Sequence, residues 1–164
     1  MNRVVITGLG AISSLGLKCE EIFTSLKESY SGISSLDFVN VDRLAVRIGG
    51  QIHNYEPGQY FSRHEISLYD KFTQFALIAA QQAVISSGIE ITEENKGKVG
   101  VILGTAGGGL QTQDENYRQV YEEGKNRVHP LIVPKLMNNA AASHVSMKYN
   151  AQGPCFTIAS ACSS

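Results

Sequence analysis

The sequence predicts an α/β fold with a mainly parallel sheet, because short runs of β-branched residues alternate with segments of helical periodicity. The chain has 164 residues, of which 43% are hydrophobic and 18% are charged, so it can form a substantial core. No internal repeat and no low-complexity tract interrupts the alternation. We therefore interpret residues 1–164 as one domain.

Charge and cysteine content narrow the class of protein. Lysine and arginine number 14 and aspartate and glutamate 15, and this near-balance argues against non-specific binding to nucleic acids or membrane surfaces. The three cysteines form no Cys-x-x-Cys pair, so a disulfide-rich secreted scaffold is not expected. The sequence also contains no signal-peptide core and no apolar stretch of ~20 residues. We expect a cytoplasmic protein.

Two strands and a helix are predicted in the first third of the chain. Residues 3–8 form a β-branched run closed by glycine, which is typical of a buried strand. Residues 18–29 carry apolar side chains at helical spacing and predict a helix. Residues 45–52 are a weaker strand prediction, because two glycines lie inside the segment.

A long buried helix is predicted over residues 67–87. Its apolar stripe is broad and rich in small residues, as expected of a helix that packs on most sides. Ser67 is predicted as the N-cap, with the Asp70 carboxylate near the positive end of the helix.

The remaining elements continue the alternation of strand and helix. Residues 98–103 predict a strand and residues 110–123 a polar helix. A second helix is predicted over 133–149, since Pro134 suits the first turn, where no N–H is needed. The last predicted strand covers 155–160.

Two glycine motifs could each approach a ligand. Gly8 and Gly10 follow the first strand and half-match the dinucleotide fingerprint, but Ser13 replaces the third glycine, so a structural turn is favoured. The loop 104–109 is rich in glycine but lacks the Gly-Lys-Ser/Thr ending of a P-loop. We expect its backbone to pack closely against a buried ligand or another helix.

The last ten residues carry the main candidate for catalysis. A β-branched and aromatic strand leads into small residues around Cys162, the composition that a sharp strand-to-helix elbow requires. A cysteine at a helix N-terminus has a lowered pKa and attacks thioesters as the thiolate. A small core residue is the competing interpretation. The pattern alone leaves both open.

The histidines suggest no metal site. Their spacing to one another and to the cysteines matches no metal-ligand pattern, so we expect neither a metal nor another cofactor; they are His53, His64, His129 and His144. His144, on a predicted helix with an alanine-rich stretch, is interpreted as an interior or interface residue and not as a base. No obvious general base for Cys162 is found.

Several segments together carry a family resemblance that covers the whole chain. They are Arg3-Val4-Val5-Ile6-Thr7-Gly8-Leu9-Gly10, Ile91-Thr92-Glu93-Glu94-Asn95, Val133-Pro134, Gly153-Pro154 and Ser160-Ala161-Cys162-Ser163-Ser164. Their order and spacing resemble the N-terminal part of the β-ketoacyl-acyl-carrier-protein synthases, and are most similar to the synthases II of bacterial fatty-acid synthesis.

The resemblance implies a thiolase-like fold, of which this chain would hold the N-terminal half. It also implies acyl transfer from carrier protein to Cys162, followed by decarboxylative condensation with malonyl carrier protein. The Cys162 N–H would be one donor of the oxyanion hole. The family's catalytic histidines, its lysine and its second oxyanion donor would lie beyond Ser164, so we expect a domain truncated just after the elbow and inactive in condensation by itself.

The resemblance also assigns roles outside the elbow. Gly107 matches the position of a gating isoleucine in the acyl pocket, and its small size leaves chain-length preference open. Ile132 and Val133, with Leu131 before them, would approach the acyl pocket of a partner subunit in a homodimer. Arg63 and Arg127 match part of the basic patch that receives the acidic acyl carrier protein.

Four hypotheses on function remain at this point. The leading one is an acyltransferase of fatty-acid elongation, and a ketosynthase of a polyketide pathway is its near alternative. A dinucleotide-dependent oxidoreductase built on Gly8 and Gly10 would bind NADH. A non-catalytic fragment would lack reactivity at Cys162, which distinguishes it from the first two.

Overall fold

The computed structural model describes residues 3–38 and 40–164. The chain divides into two compact units, one comprising Met1–Glu56 and Ile78–Ile89, the other Pro57–Leu77 and Glu90–Ser164. In the described ranges, no helix combines the length and the apolar character needed to cross a membrane.

The first unit contains helix α1, Cys19–Lys27, which confirms the helix predicted over 18–29. Its acidic residues lie in the first turn and Lys27 in the last, each favourable to the helix dipole. Strand β1, Ser34–Ser35, pairs antiparallel with strand β2, Ile48–Gly49, so the strand predicted over 45–52 is reduced to two residues. A 3-10 turn, Val41–Arg43, lies between them.

The strand predicted over residues 3–8 is wrong. No described residue pairs with this segment in a ladder, and the Val4 side chain is 92% exposed. Gly8 and Gly10 instead lie against the end of helix α3, Lys71–Ser87, where a Cβ on either residue would overlap helix backbone. Close packing therefore accounts for both glycines, in place of the structural turn that the sequence favoured.

The second unit contains helix α2, Arg63–Leu68, and the first part of α3, where a single helix was predicted. Helix α3 starts at Lys71. The predicted N-cap Ser67 is wrong, because its hydroxyl donates to the His64 carbonyl at 2.6 Å. Ser62 caps α2 in a capping box with Glu65, and its N–H and O–H donate to the Glu65 carboxylate and lower the pKa of that group.

A parallel strand pair forms the sheet of the second unit. Strand β3, Val101–Gly104, pairs with strand β4, Cys155–Ile158, in the register Val101↔Cys155 to Gly104↔Ile158. The pair confirms both predicted strands and their parallel direction, although a 3-10 turn, Lys96–Lys98, delays the start of β3.

Three helices complete the second unit. Helix α4, Leu110–Tyr121, agrees with the predicted polar helix. The single helix predicted over 133–149 is wrong, because helix α5, Ile132–Leu136, ends before helix α6, Ala140–Tyr149. The Leu136 carbonyl accepts the Gly109 N–H at 3.0 Å, a contact with the glycine loop. The α6 residues Ala140, Ala141, Ala142 and Val145 are buried.

Candidate functional site

A sharp turn after β4 carries Cys162. The strand ends at Ile158, and a 3-10 turn, Ala161–Ser163, starts immediately afterwards. Ala161 has φ 52°, a left-handed conformation that is costly for a residue with a Cβ. The Cys162 side chain is exposed. A sharp turn is therefore present after the strand, as a 3-10 turn in place of the helix that the elbow prediction implied, and its cysteine is exposed.

The elbow is attached to the end of the neighbouring strand. The Ser164 hydroxyl donates to the Thr105 carbonyl at 3.3 Å and accepts the Ser160 N–H at 2.7 Å. A Cβ on Gly104 would lie 2.5 Å from the Ser164 carbonyl carbon, so only glycine permits this approach. Cys162 thus lies beyond the carboxyl ends of two parallel strands, the usual position of ligand sites in open α/β sheets.

The glycine loop leaves β3 beside this turn. The Thr105 hydroxyl donates to the Gly107 carbonyl at 2.5 Å and accepts the Gly107 N–H at 3.3 Å. The nearest atoms to a Cβ on Gly107 would be those of the Leu110 side chain, at 3.5 Å, which is ordinary contact. Position 107 therefore has room for a Cβ atom.

The next two glycines have no such room. A Cβ on Gly108 would overlap the Leu136 carbonyl, and one on Gly109 would lie 2.6 Å from the Lys135 carbonyl oxygen. The loop backbone is packed against α5, as expected for close approach to another helix. Only the first of these three consecutive glycines is free to vary in size.

Sequence reasoning missed the role of Asp70 beside this loop. Asp70 is 5% exposed, and its Oδ2 accepts the Thr112 N–H at 2.8 Å and the Thr112 hydroxyl at 2.7 Å. Its Oδ1 accepts the Phe72 N–H at 3.1 Å. The sequence suggested only a capping role for Asp70 within its own helix. Its partner is 42 residues away and gives no local signal.

The two predicted acyl-pocket residues of α5 differ in surroundings. Ile132 lines an apolar groove of about 370 Å³ with residues of α4 and of the segment after it; these are Gln113, Asn116, Tyr117, Val120, Tyr121, Val128 and, from α5, Leu136. Val133 does not line this groove and is 56% exposed. The structure thus brings Ile132 to α4 and leaves Val133 on the surface.

The two predicted docking arginines are both exposed. Arg63 is the first residue of α2, and Arg127 lies in the segment between α4 and α5. Within residues 3–38 and 40–164, neither guanidinium forms an ion pair with a carboxylate. Both charges are therefore available to an acidic partner.

Two of the histidines contact neighbouring side chains within the fold. The His144 ring packs edge-on against Tyr69 with 4.6 Å between ring centroids, and burial lowers the pKa of His144. The half-buried position agrees with the interpretation of His144 as an interior or interface residue. His53 Nε2 forms a hydrogen bond with the Ser34 hydroxyl at 2.8 Å. The described residues contain no group of three or more His, Cys, Asp or Glu side chains suited to a metal ion.

Comparison with known sequences assigns the chain to a family. Residues 1–164 match the family described as "Beta-ketoacyl synthase, N-terminal domain". The chain is 34% identical over 160 residues to 3-oxoacyl-[acyl-carrier-protein] synthase 2 of Coxiella burnetii, covering 98% of this chain and 39% of that protein. The enzyme of the same name from Vibrio harveyi is 33% identical over the same coverage. The chain therefore spans about two fifths of the length of these relatives.

Solved structures agree on the fold. The ishigamide ketosynthase/chain length factor superposes with a TM-score of 0.79 at 21% identity, covering 94% of this chain and 39% of that one. A β-ketoacyl synthase from Burkholderia phymatum gives a TM-score of 0.73 at 20% identity, covering 98% and 40%. A type II PKS acyl-carrier protein in complex with its ketosynthase gives a TM-score of 0.77 at 19% identity. The match covers 98% of this chain and 42% of that one. These matches confirm the thiolase-like fold, represented here by its N-terminal half.

Proposed function

Because the chain belongs to the β-ketoacyl synthase family through that family's N-terminal domain, we propose that it is the nucleophile-bearing part of a β-ketoacyl-acyl-carrier-protein synthase of fatty-acid elongation. Its curated relatives are named 3-oxoacyl-[acyl-carrier-protein] synthase 2. Cys162 is the proposed nucleophile. The catalytic histidines, the lysine and the second oxyanion donor are proposed to belong to a further part of the protein.

The proposed reaction has two stages at one sulfur atom. The Cys162 thiolate attacks the acyl thioester of the carrier protein, an Sγ–acyl bond forms, the original thioester C–S bond breaks, and the carrier protein leaves as its thiolate. Malonyl carrier protein then loses carbon dioxide, and the resulting carbanion attacks the acyl carbonyl carbon. The Sγ–acyl bond breaks, the Cys162 thiolate leaves, and a β-ketoacyl carrier protein is released. These two stages need no metal and no redox cofactor.

One observation carries the proposal, namely an exposed cysteine in a strained turn at the carboxyl ends of a parallel strand pair. A sharp turn holds the thiol clear of the strand and points a backbone N–H toward the same region. Such an N–H opposes the negative charge that develops on the thioester oxygen.

Acylation of the thiol tests the proposal directly. The protein expressed from its complete reading frame is incubated with a long-chain acyl thioester, and intact mass is recorded. One acyl adduct is expected, absent in Cys162→Ala and retained in Cys155→Ala. Cys155 is a matched control because its thiol is also exposed, on β4. An adduct that survives in Cys162→Ala, or no adduct at all, would overturn the assignment of the nucleophile.

The acyl carrier protein is the proposed partner of the surface around Arg63 and Arg127. Both guanidinium groups are exposed and free of intramolecular ion pairs among the described residues. A carrier protein is acidic, so complementary charge speeds and orients its docking. In Arg63→Glu and Arg127→Glu we expect a raised KM for acyl carrier protein and an unchanged KM for a small acyl thioester. Equal effects on both substrates would contradict the docking role.

We further propose a homodimer formed through β4 and located in the cytoplasm. Phe156 and Ile158 are exposed on this short strand, and an uncovered apolar edge favours association. In this arrangement Leu131, Ile132 and Val133 approach the partner's acyl pocket. Sedimentation velocity tests the assembly, and a monodisperse monomer would count against it. Cell fractionation tests the location.

A polyketide ketosynthase is the second candidate function, favoured by the space at Gly107. The nearest atoms to a Cβ there belong to the Leu110 side chain, at ordinary contact distance, and glycine leaves the space of that Cβ unfilled. A wider entrance suits chains bulkier than a saturated acyl group. Acylation by a β-keto-substituted thioester at a rate equal to that of the saturated one would favour this candidate.

A further inference from the structure

The buried carboxylate of Asp70 joins the N-terminal ends of two helices. Its Oδ1 accepts the Phe72 N–H in the first turn of α3, at 3.1 Å. Its Oδ2 accepts both the N–H and the hydroxyl of Thr112, in the first turn of α4, at 2.8 and 2.7 Å. The free amides and partial positive charge at each helix end favour a carboxylate here. The two carboxylate oxygens of Asp70 therefore accept three hydrogen bonds, one from Phe72 and two from Thr112.

The same carboxylate borders the glycine loop. A Cβ on Gly109 would lie 3.0 Å from Asp70 Oδ2, so the loop backbone passes directly beside the carboxylate. The Gly109 N–H in turn donates to the Leu136 carbonyl of α5 at 3.0 Å. A continuous set of contacts thus runs from Asp70 through the start of α4 to the loop and to the helix that carries Ile132.

We propose that Asp70 is a positioning residue for acyl-chain selection: through Thr112 it fixes where α4 begins, and thereby holds the glycine loop with Gly107, the proposed gate position of the acyl pocket, in the place that sets which acyl chains fit. The inference rests on the proposed function of Cys162. It assigns Asp70 no contact with substrate. Its effect is on the shape of the pocket and not on the chemistry at the thiol.

The carboxylate cannot be replaced by an amide without loss. In Asp70→Asn one oxygen becomes an NH₂ group, which faces N–H or O–H donors and cannot accept from them. Either the Phe72 bond or the two Thr112 bonds are lost. Thr112→Val removes only the hydroxyl donor, while Thr112→Ser retains it and is the matched control.

The test compares two acyl chain lengths in the protein expressed from its complete reading frame. The kcat/KM for acylation of Cys162 is measured with hexanoyl and dodecanoyl thioesters, and their ratio is taken. A loss of folded protein lowers both values equally and leaves the ratio unchanged. We expect the ratio to change by about tenfold in Asp70→Asn and in the same direction, by less, in Thr112→Val, since small changes of fit in an apolar pocket discriminate on this scale.

Two controls separate positioning from general destabilisation. Thr112→Ser should keep the wild-type ratio. Val145→Ala, in the buried face of α6, should lower the folded fraction and also keep the ratio. An unchanged ratio in Asp70→Asn and Thr112→Val would overturn the inference. If Asp70→Asn does not fold, the ratio in Thr112→Val decides.

Hydrogen exchange provides a readout that does not depend on catalysis. We expect the amides of residues 107–112 to exchange faster in Asp70→Asn and Thr112→Val than in the wild type and Thr112→Ser, with the strand amides of β3 unchanged. Unchanged exchange in 107–112 would overturn the inference. If wild-type Cys162 accepts neither thioester, the proposed function fails, and exchange alone decides whether Asp70 holds the loop.

Discussion

The carbonyl oxygen of Ala79 occupies the space that a Cβ atom on Gly10 would need. The Ala83 N atom lies 2.8 Å from the same point, so the helix cannot give way by moving one side chain. We expect Gly10→Ala to lower the free energy of unfolding by about 1–3 kcal/mol, the usual effect of overpacking. Urea denaturation measures the change.

A glycine in open space is the control for this substitution. A Cβ on Gly97 would have no atom within 4 Å. Gly97→Ala should therefore change the free energy of unfolding by no more than about 0.5 kcal/mol. Equal losses in the two variants would show that close packing on α3 does not explain the glycine at position 10.

Two buried threonines should respond in opposite directions to loss of their hydroxyl. Thr73 is 1% exposed, and its hydroxyl has no hydrogen-bond partner among the described residues. The Thr112 hydroxyl donates to Asp70. Thr73→Val should raise the free energy of unfolding by up to about 1 kcal/mol, and Thr112→Val should lower it by about 1–3 kcal/mol. Denaturation curves of the two Thr→Val variants measure both changes. A lower free energy of unfolding in Thr73→Val would contradict the prediction.

Stability should fall in mild acid because of His144. Burial lowers its pKa below the ordinary value of 6.5, so the unfolded chain binds more protons than the folded one beneath that pH. The contribution of neutral His144 to the free energy of unfolding is therefore fully present above about pH 6.5. It is lost as the pH falls through the pKa of His144 in the folded protein. His144→Phe keeps a ring against Tyr69 but cannot titrate.

Denaturation midpoints at neutral and mildly acidic pH measure this dependence. The wild type should lose more stability than His144→Phe between the two conditions. An NMR titration of the His144 ring reports its pKa directly. A pKa at or above 6.5 in the folded protein would refute the expected sign.

Enlarging Gly107 should restrict the proposed acyl pocket without unfolding the protein. A Cβ there meets Leu110 at 3.5 Å, whereas one on Gly108 overlaps the backbone of α5. Gly107→Ile should therefore retain wild-type stability and lower the rate of Cys162 acylation by long chains relative to short ones by about tenfold or more. Gly108→Ala should instead lose stability. Thermal denaturation and acylation rates together separate the two effects.

Elements governed by local pattern could be predicted from the sequence. Apolar periodicity was sufficient for α1, and β-branched runs were sufficient for β3 and β4. A sharp turn at Cys162 was also predictable, because small residues after such a run permit it, whereas the pattern alone left the role of the cysteine open. In each case the determining residues are neighbours along the chain.

The errors have long-range causes. The pattern over 67–87 is continuous, yet the helix breaks before Asp70, whose side chain binds Thr112. The pattern over 133–149 is continuous as well, but α5 ends where the Leu136 carbonyl accepts the Gly109 N–H. Residues 3–8 have strand composition and no pairing partner in the described chain. The role of Asp70 beside the glycine loop was invisible for the same reason.

The register of β3 and β4 also constrains how this gene can change in length. Gly104 is opposite Ile158, and the thiol follows a fixed number of residues later. One residue inserted into β4 would shift everything after it by about 3.3 Å and reverse which face each side chain occupies. The exposed segment 122–131 carries no such constraint. Insertions and deletions among natural variants should therefore accumulate there and be absent from 153–162.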